Sequence, residues 1–245
     1  MYLRPVHAEH DVPTLRSLIA DVRLGILVTA IQSETYPLLQ STHIPWLLHV
    51  DDPESETELG TLRGHMAKQN PQAKVLVEHV AAETGWETEE DVMVLFTSPA
   101  DHYISPQYYK DTKPNSGKVV PTWNYASVTA YGRAKIYTST NPDITAFLQQ
   151  QMHQLTHKCE TSESSLQNEW KVSDAPDTYV AALRKAVIGI EIKIGRLEGK
   201  WKMSQEMGEA DRAGVVEGLE KAGERGKAVA TIVETRNAET GKKTV

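Results

Sequence analysis

The sequence predicts an α+β protein whose strands form an antiparallel barrel, with helices at the ends of the chain and between the strands. About six or seven segments have the β-branched composition or the period-2 alternation that is typical of strands. These segments do not alternate regularly with helical ones, which argues against a doubly wound parallel sheet. Three of the helical segments begin at a proline, a residue favoured in the first helical turn.

The first half of the chain contains one helix followed by strands. Asp11 can cap a helix that continues through apolar residues at helical spacing to Val22. Strands are expected over residues 24–30, about 42–50, 59–66 and 92–97. Pro45 interrupts the second of these strands, as at an edge or a bulge. Residues 51–55 connect a hairpin, residues 75–82 fit either a strand or a short helix, and residues 83–91 suit a surface loop.

The second half begins with a long loop over residues 98–118, which contains three prolines. Loops of this length are usually functional or disordered, and Tyr103, Tyr108 and Tyr109 favour an ordered one. Strands follow over residues 119–137 and 188–194, and helices over residues 141–157, 175–185 and 208–222. The tail after Gly223 is polar and is expected to fray. The sequence thus predicts a single domain over residues 1–225 and a polar tail over residues 226–245.

Composition and charge restrict the possible functions. Acidic residues outnumber basic ones by 33 to 26, for a net charge of −7, whereas a dedicated DNA-binding domain usually carries a basic face. No run approaches the ~18 apolar residues of a membrane helix, and residues 1–5 lack a signal-peptide core. The single cysteine, Cys159, excludes an internal disulfide and a cysteine-cluster metal site. We expect a cytoplasmic or nuclear protein without membrane contact, for which direct binding of DNA is doubtful.

Four segments combine turn residues with side chains that suit a polar ligand. The candidate residues in them are His43; His65, Lys68 and Asn70; Trp123, Asn124 and Tyr125; and Lys200, Lys202, Ser204 and Gln205. The second group can donate charge-assisted hydrogen bonds to an anion, and the aromatic residues can stack on a ring. Each segment taken alone also has an ordinary explanation as a strand end, a solvated lysine or, for Trp123, an aromatic core strand.

Other chemistries have little support in the sequence. It contains no Walker loop, no Gly-x-Gly-x-x-Gly motif and no Gly-x-Ser-x-Gly elbow. His43, His65 and His102 lack a recognised metal-ligand spacing, so no metal site is expected. His157 and Cys159 are two residues apart and do not share a helix face, which argues against a Cys–His nucleophile. No catalytic residue is identified.

Taken together, the segments resemble the PaiB family of FMN-binding negative transcriptional regulators. The resemblance extends from Met1 to about Leu219, and its five motifs follow the family's order. The motifs are Thr42-His43-Ile44-Pro45, Gly64-His65-Met66-Ala67-Lys68-Gln69-Asn70-Pro71, Tyr103-Ile104-Ser105-Pro106, Val120-Pro121-Thr122-Trp123-Asn124-Tyr125 and Glu198-Gly199-Lys200-Trp201-Lys202-Met203-Ser204-Gln205. Any one of them is weak evidence, but five in order are specific.

The resemblance implies a split β-barrel of the flavin-reductase and pyridoxamine-phosphate-oxidase type, a homodimer that binds FMN in grooves at the subunit interface. On the matched positions, His43 would lie near the flavin ring or ribityl chain, and His65, Lys68 and Asn70 near the phosphate. Trp123, Asn124 and Tyr125 would pack from the partner subunit, and Lys200, Lys202, Ser204 and Gln205 would complete the polar wall. The flavin itself would perform the redox chemistry, so a separate catalytic acid is not required.

Two departures from the family pattern concern the expected phosphate site. Lys68 stands where the family commonly has arginine, which keeps the charge but loses the bidentate fork. Glu206 stands where the family commonly has asparagine, which adds a negative charge.

Three functions stay open at this point. The first is a flavin-dependent oxidoreductase or flavin-linked regulator. The second is a transcriptional repressor that acts on DNA or through a partner, although no helix-turn-helix signature is present. The third is a haem-binding or haem-degrading split barrel in which a histidine serves as the axial ligand.

Overall fold

A computed structural model describes residues 1–80, 85–164 and 166–242. Its contacts divide the chain into two compact units. The first unit contains residues 1–11, 97–128 and those from 198 onward, and the second contains residues 12–96 and 129–197. Both units are therefore assembled from segments that are distant in the sequence. The domain predicted over residues 1–225 stays a prediction.

Helices and strands occur in both units. The helices are α1 (Val12–Val22), α2 (Pro71–His79), α3 (Thr112–Ser116), α4 (Ile144–Ser162), α5 (Asp177–Lys185), α6 (Glu209–Glu220) and α7 (Gly223–Lys242). The strands are β1 (Ala8–Glu9), β2 (Leu24–Ala30), β3 (Leu39–Pro45), β4 (Leu47–His49), β5 (Thr61–Ala67), β6 (Val92–Thr97), β7 (His102–Ile104), β8 (Thr122–Gly132), β9 (Ala134–Tyr137), β10 (Val187–Lys193) and β11 (Arg196–Lys202). Single turns of 3-10 helix cover Pro106–Tyr108 and Val172–Asp174.

The second unit contains two antiparallel groups of strands. One has the order β4-β5-β10-β9, and β5 pairs with β10 from Thr61 opposite Lys193 to Ala67 opposite Val187. In the other, β2 lies between β3 and β6. Pro45 has no backbone N–H for a strand ladder, and it ends β3, which pairs with β2, whereas β4 pairs with β5. The interruption predicted at Pro45 is confirmed.

Trp46 lies in the interior of the second unit, where its side chain is 1% exposed. Its ring passes close to the backbone at two glycines. A Cβ atom added to Gly25 would lie 2.9 Å from Trp46 Cδ1, and one added to Gly64 would lie 3.0 Å from Trp46 Cε3. The Cβ added to Gly25 would also lie 2.6 Å from Phe96 Cε1, so a larger residue there would force the aromatic side chains to move.

Helix α4 contributes a second apolar cluster to this unit. The rings of Phe147 and Tyr137 are stacked, with centroids 4.0 Å apart and an interplanar angle of 13°. Leu148 joins them, and the partly buried Ile144 and Val187 pack around the cluster. Close packing of this kind holds the first turns of α4 against the strands.

The first unit contains short strand pairs and the two C-terminal helices. Strand β1 pairs with β11, β11 neighbours β8, and β7 pairs with the beginning of β8. Helix α7 follows α6 and begins at Gly223, whose φ of 78° favours glycine. Val229, Ala230 and Val233 of α7 are buried.

A buried carboxylate fixes the long loop of the first unit. Asp211 in α6 is fully buried and accepts hydrogen bonds from the backbone N–H of Asp111 at 2.8 Å and of Thr112 at 3.2 Å. The Thr112 hydroxyl also donates to this carboxylate. The loop over residues 98–118 is accordingly ordered, and it contains β7, one 3-10 turn and α3.

The predicted α+β class, with antiparallel strands and peripheral helices, is confirmed. The strands over 24–30 and 92–97 have the expected bounds. The strand expected over 119–137 is two strands, β8 and β9, separated at Arg133. The ambiguous segment 75–82 is helical as far as His79, while residues 81 and 82 lie outside the described part of the chain.

The expectation of a frayed tail after Gly223 is wrong, and the helix over 208–222 is therefore not the last one. Residues 223–242 are helical because Val229 and Val233, which are four positions apart, share one buried helix face. Among the helices that the structure describes, none is both long enough and apolar enough to cross a membrane.

Candidate functional site

The predicted ligand-binding residues are divided between the two units. His43, His65, Lys68 and Asn70 lie in the second unit, and the other seven lie in the first. His43 is exposed on β3, and His65 is half-buried on β5. The Nδ1 atom of His65 is buried without a hydrogen-bond partner in the described structure. Burial also lowers the pKa of His65, so this imidazole is neutral near pH 7 and has an unused polar atom.

Asn70 caps helix α2. Its side-chain oxygen accepts a hydrogen bond from the backbone N–H of Gln72 at 2.9 Å, and its Nδ2 donates to the Thr42 hydroxyl at 2.9 Å. Pro71 occupies the first helical position, where a missing N–H costs nothing. The amide of Asn70 thus joins the predicted segments 42–46 and 60–71 to each other, and its contact with a phosphate stays a prediction.

Lys68 lines a cavity of about 310 Å³ in the second unit. Its Nζ donates a hydrogen bond to the carbonyl of Lys185, the last residue of α5, at 2.6 Å. The cavity is lined by Lys68, Ser139, Ile144, Thr145, Leu148, Ala181, Arg184 and Lys185. Three cations therefore surround a space whose other side is apolar. The sequence pattern indicates Lys68 but not Arg184 or Lys185, because α5 lies more than a hundred residues further along the chain.

In the first unit, Ser204 and Gln205 lie in the turn that follows β11, and Asn124 of β8 contacts this turn. Asn124 Nδ2 donates to the Ser204 hydroxyl at 3.1 Å, and both side chains are buried. Gln205 accepts from the Met203 N–H and donates to the Trp201 carbonyl, each at 2.6 Å. Ser204 has a φ of 62°, a strained value that these bonds maintain. These three polar side chains stabilise the turn itself.

Lys202 is part of a balanced charge cluster. Its Nζ donates to the Thr122 hydroxyl at 2.7 Å and to the Trp123 carbonyl at 3.1 Å, and it lies 3.8 Å from a Glu206 oxygen. Burial lowers the pKa of Lys202. The other Glu206 oxygen lies 2.9 Å from Nε2 of His7, which is buried. Burial alone would raise the pKa of Glu206, but the hydrogen bond from His7 and the charge of Lys202 outweigh it and lower that pKa.

The aromatic residues of the first unit lie near its surface. Trp123 is 52% exposed and contacts Tyr103 edge to face, with ring centroids 6.2 Å apart. The interpretation of Trp123 as a core residue is therefore wrong, because its side chain lies on the exposed face of β8. Lys200 lies over the ring of Tyr125 at 5.4 Å, a cation–π contact. The Nδ1 of His102 donates a hydrogen bond to the carbonyl oxygen of Tyr103 at 2.7 Å.

A cavity that combines cationic donors with an apolar wall is chemically suited to a small anionic ligand. A family model described as "Putative FMN-binding domain" matches residues 1–196, so the chain belongs to this family. The match covers the segments with His43, His65 and Trp123 and ends before the segment with Lys200.

Curated relatives match the chain along nearly all of its length. An uncharacterised protein of Emericella nidulans is 52% identical over 253 residues, 99% of this chain and 100% of that protein. A second uncharacterised protein, from Aspergillus fumigatus, is 48% identical over 254 residues, with coverages of 96% and 97%. Protease synthase and sporulation protein PAI 2 of Bacillus subtilis is 26% identical over 220 residues, with coverages of 90% and 89%. The resemblance to the PaiB family is confirmed.

Proposed function

We propose that this chain binds FMN as a homodimer and acts as a flavin-dependent oxidoreductase or flavin-linked regulator. The observation that carries the proposal is the family match over residues 1–196. Bound FMN would supply the electron-transfer chemistry. The task of the chain is then to bind the phosphate, to orient the ring and to limit the access of water.

The residues present fit this cofactor. A phosphate monoester carries about −1.5 to −2 charges near pH 7 and three acceptor oxygens, and the Lys68 cavity presents cationic donors. The neutral His65 has an unused Nδ1 atom, which suits a polar group of the cofactor that needs one directional hydrogen bond. His43, exposed on the neighbouring predicted segment, is available to contact the ribityl chain or the ring.

The exposed aromatic residues support the homodimer. Tyr103 and Trp123, which contact each other edge to face, are large side chains that the first unit leaves exposed, and they form an aromatic patch. Aromatic residues are enriched in protein interfaces because they bury a large area at a low entropic cost. A second copy of the chain that covers this aromatic patch would also place a ring next to the cofactor, as the family pattern implies for Trp123.

The test is a titration of the purified apo-protein with FMN, followed by quenching of flavin fluorescence and by gel filtration. We expect saturable quenching with one FMN per chain and elution as a dimer. Trp123→Ala should weaken both FMN binding and dimerisation, whereas the matched substitution Trp170→Ala, at a similarly exposed tryptophan outside the predicted segments, should change neither. Absence of quenching at the highest soluble FMN concentration would overturn the proposal.

A reduction experiment separates the two roles. Anaerobic addition of NADH or NADPH to the FMN-loaded protein should bleach the flavin absorption if the chain is an oxidoreductase. Stable binding of FMN without bleaching by either nucleotide favours the regulator.

A further inference from the structure

The cavity around Lys68 is formed by four parts of the second unit. Lys68 lies in the turn after β5, Arg184 and Lys185 form the end of α5, and Ser139 follows β9. Ile144 and Leu148 of α4 provide the apolar wall. Because Leu148 also belongs to the Tyr137–Phe147 cluster, this apolar wall is part of the packed interior.

The charges of this cavity are not balanced by acids. The residues that line it include three cations and no carboxylate. Within the described part of the chain, neither Lys68, Arg184 nor Lys185 forms an ion pair, whereas Arg63 pairs with Glu191 at 3.0 Å and Lys202 lies 3.8 Å from Glu206. In a chain with 33 acidic residues against 26 basic ones, three neighbouring cations without a carboxylate indicate a place for an external anion.

The hydrogen bond from Lys68 to Lys185 positions the ammonium group and leaves donors on it for a ligand. An ammonium group has three donors, and one of them is bonded to the Lys185 carbonyl at 2.6 Å. The other two can reach a ligand in the cavity. Ser139 and Thr145 add hydroxyl groups at the rim, so the cavity offers charged and neutral donors together with an apolar surface.

Stabilisation of α5 provides a different explanation for these cations. Basic residues in the last turn of a helix interact favourably with its dipole, and Arg184 and Lys185 occupy that turn. This effect accounts for their position but predicts no preference for any ligand. A binding experiment therefore distinguishes the two explanations.

We infer that this cavity binds the phosphate of FMN, and that Arg184 and Lys185 join Lys68 in making the chain prefer FMN over riboflavin. The inference rests on the proposed function, because it assigns the phosphate end of the same cofactor. Riboflavin lacks the phosphate and keeps the ring and ribityl chain. The ratio of the affinities for FMN and riboflavin thus measures the contribution of the phosphate, and of the cavity that would bind it, to the binding of FMN.

The experiment is a pair of fluorescence-quenching titrations, with FMN and with riboflavin, on the wild-type chain and on Arg184→Gln and Lys185→Gln. The matched control is Lys193→Gln, at an exposed lysine of β10 outside the cavity. We expect the wild type to bind FMN more tightly than riboflavin. Each cavity substitution should weaken FMN binding about 10- to 100-fold, the loss of one charge-assisted hydrogen bond, and should leave riboflavin binding unchanged. Lys193→Gln should change neither.

The possible failures are distinguishable. If the wild type binds FMN and both cavity variants keep its FMN-to-riboflavin ratio, the cavity is not the phosphate site, and the proposed function stands. If a cavity variant weakens riboflavin as much as FMN, the substitution acts on the fold or the ring, and the inference is also overturned. If the wild type does not bind FMN, the proposed function fails first. A cooperative thermal unfolding transition shows that each variant is folded. If Arg184→Gln does not fold, Lys185→Gln provides the test.

Discussion

Replacement of Asp211 by asparagine tests how the long loop of the first unit is held. Asp211 is 0% exposed and accepts from two backbone N–H groups and one hydroxyl of residues 111 and 112. Asparagine has the same shape as aspartate, but an NH₂ group replaces one carboxylate oxygen, and this group cannot accept a hydrogen bond from these donors. A buried group left without its partner costs about 1–3 kcal/mol, so we expect a loss of about 3 kcal/mol. For a chain of this size that corresponds to a fall in Tm of about 6–12 °C.

The loss should depend on pH in a defined direction. Burial raises the pKa of Asp211, but the hydrogen bonds from Thr112 and Asp111 outweigh it and hold that pKa below the ordinary 3.8. The carboxylate therefore stabilises the fold fully above pH ~4, and this contribution is lost as the pH falls through the folded-state pKa. The difference in free energy of unfolding between wild type and Asp211→Asn, measured by urea denaturation, should be constant from pH 7 to pH 5 and should shrink at pH 3.5.

Glu220→Gln makes the same chemical change at an exposed position of α6 and should cost less than about 0.5 kcal/mol. Equal losses in the two variants would show that the carboxylate does not hold the loop.

Two further comparisons address the packing of the strands. Trp46→Ala should cost about 3–5 kcal/mol by urea denaturation because its side chain is buried, whereas Trp170→Ala should cost about 1 kcal/mol or less since that side chain is half exposed; similar losses would contradict the assignment of Trp46 to the interior. A Cβ at Gly132 would lie 2.2 Å from the carbonyl oxygen of Lys193, while one at Gly208 meets nothing within 4 Å. Gly132→Ala should therefore lower stability by about 1–3 kcal/mol and Gly208→Ala should not, as thermal unfolding can establish; an unchanged Gly132→Ala would show that β8 and β10 adjust freely there.

Much of the secondary structure is predictable because local patterns decide it. The alternating isoleucines of β10 and the apolar run of β2 determine a buried face without any help from distant residues. Helix α7 is the opposite case. Its mean composition is polar, and its buried stripe is narrow. Such a helix forms because tertiary packing supplies the stability that its own sequence lacks, and this information is absent from a local pattern.

The candidate site shows the same limit at the level of side chains. The sequence identifies polar residues near turns, but it does not show which of them the fold uses internally. Asn124 and Ser204 bond to each other in the interior, and Asn70 caps α2. Arg184 and Lys185, in contrast, look like ordinary solvated cations at a helix end, and only the fold brings Lys68 to the carbonyl of Lys185.

The charge surroundings of Lys202 and Lys68 differ. Glu206, which the family pattern replaces with asparagine, lies between Lys202 and the buried His7. The lowered pKa of Glu206 means that it stays ionised at neutral pH, and burial lowers the pKa of Lys202. A phosphate bound at Lys202 would also lie near the Glu206 carboxylate, and the repulsion between these two anions would offset part of the attraction to Lys202. The Lys68 cavity carries no such carboxylate among its lining residues. An acidic chain that binds a dianion must keep some cations unpaired, and the positions where it does so are the ones to test for the phosphate.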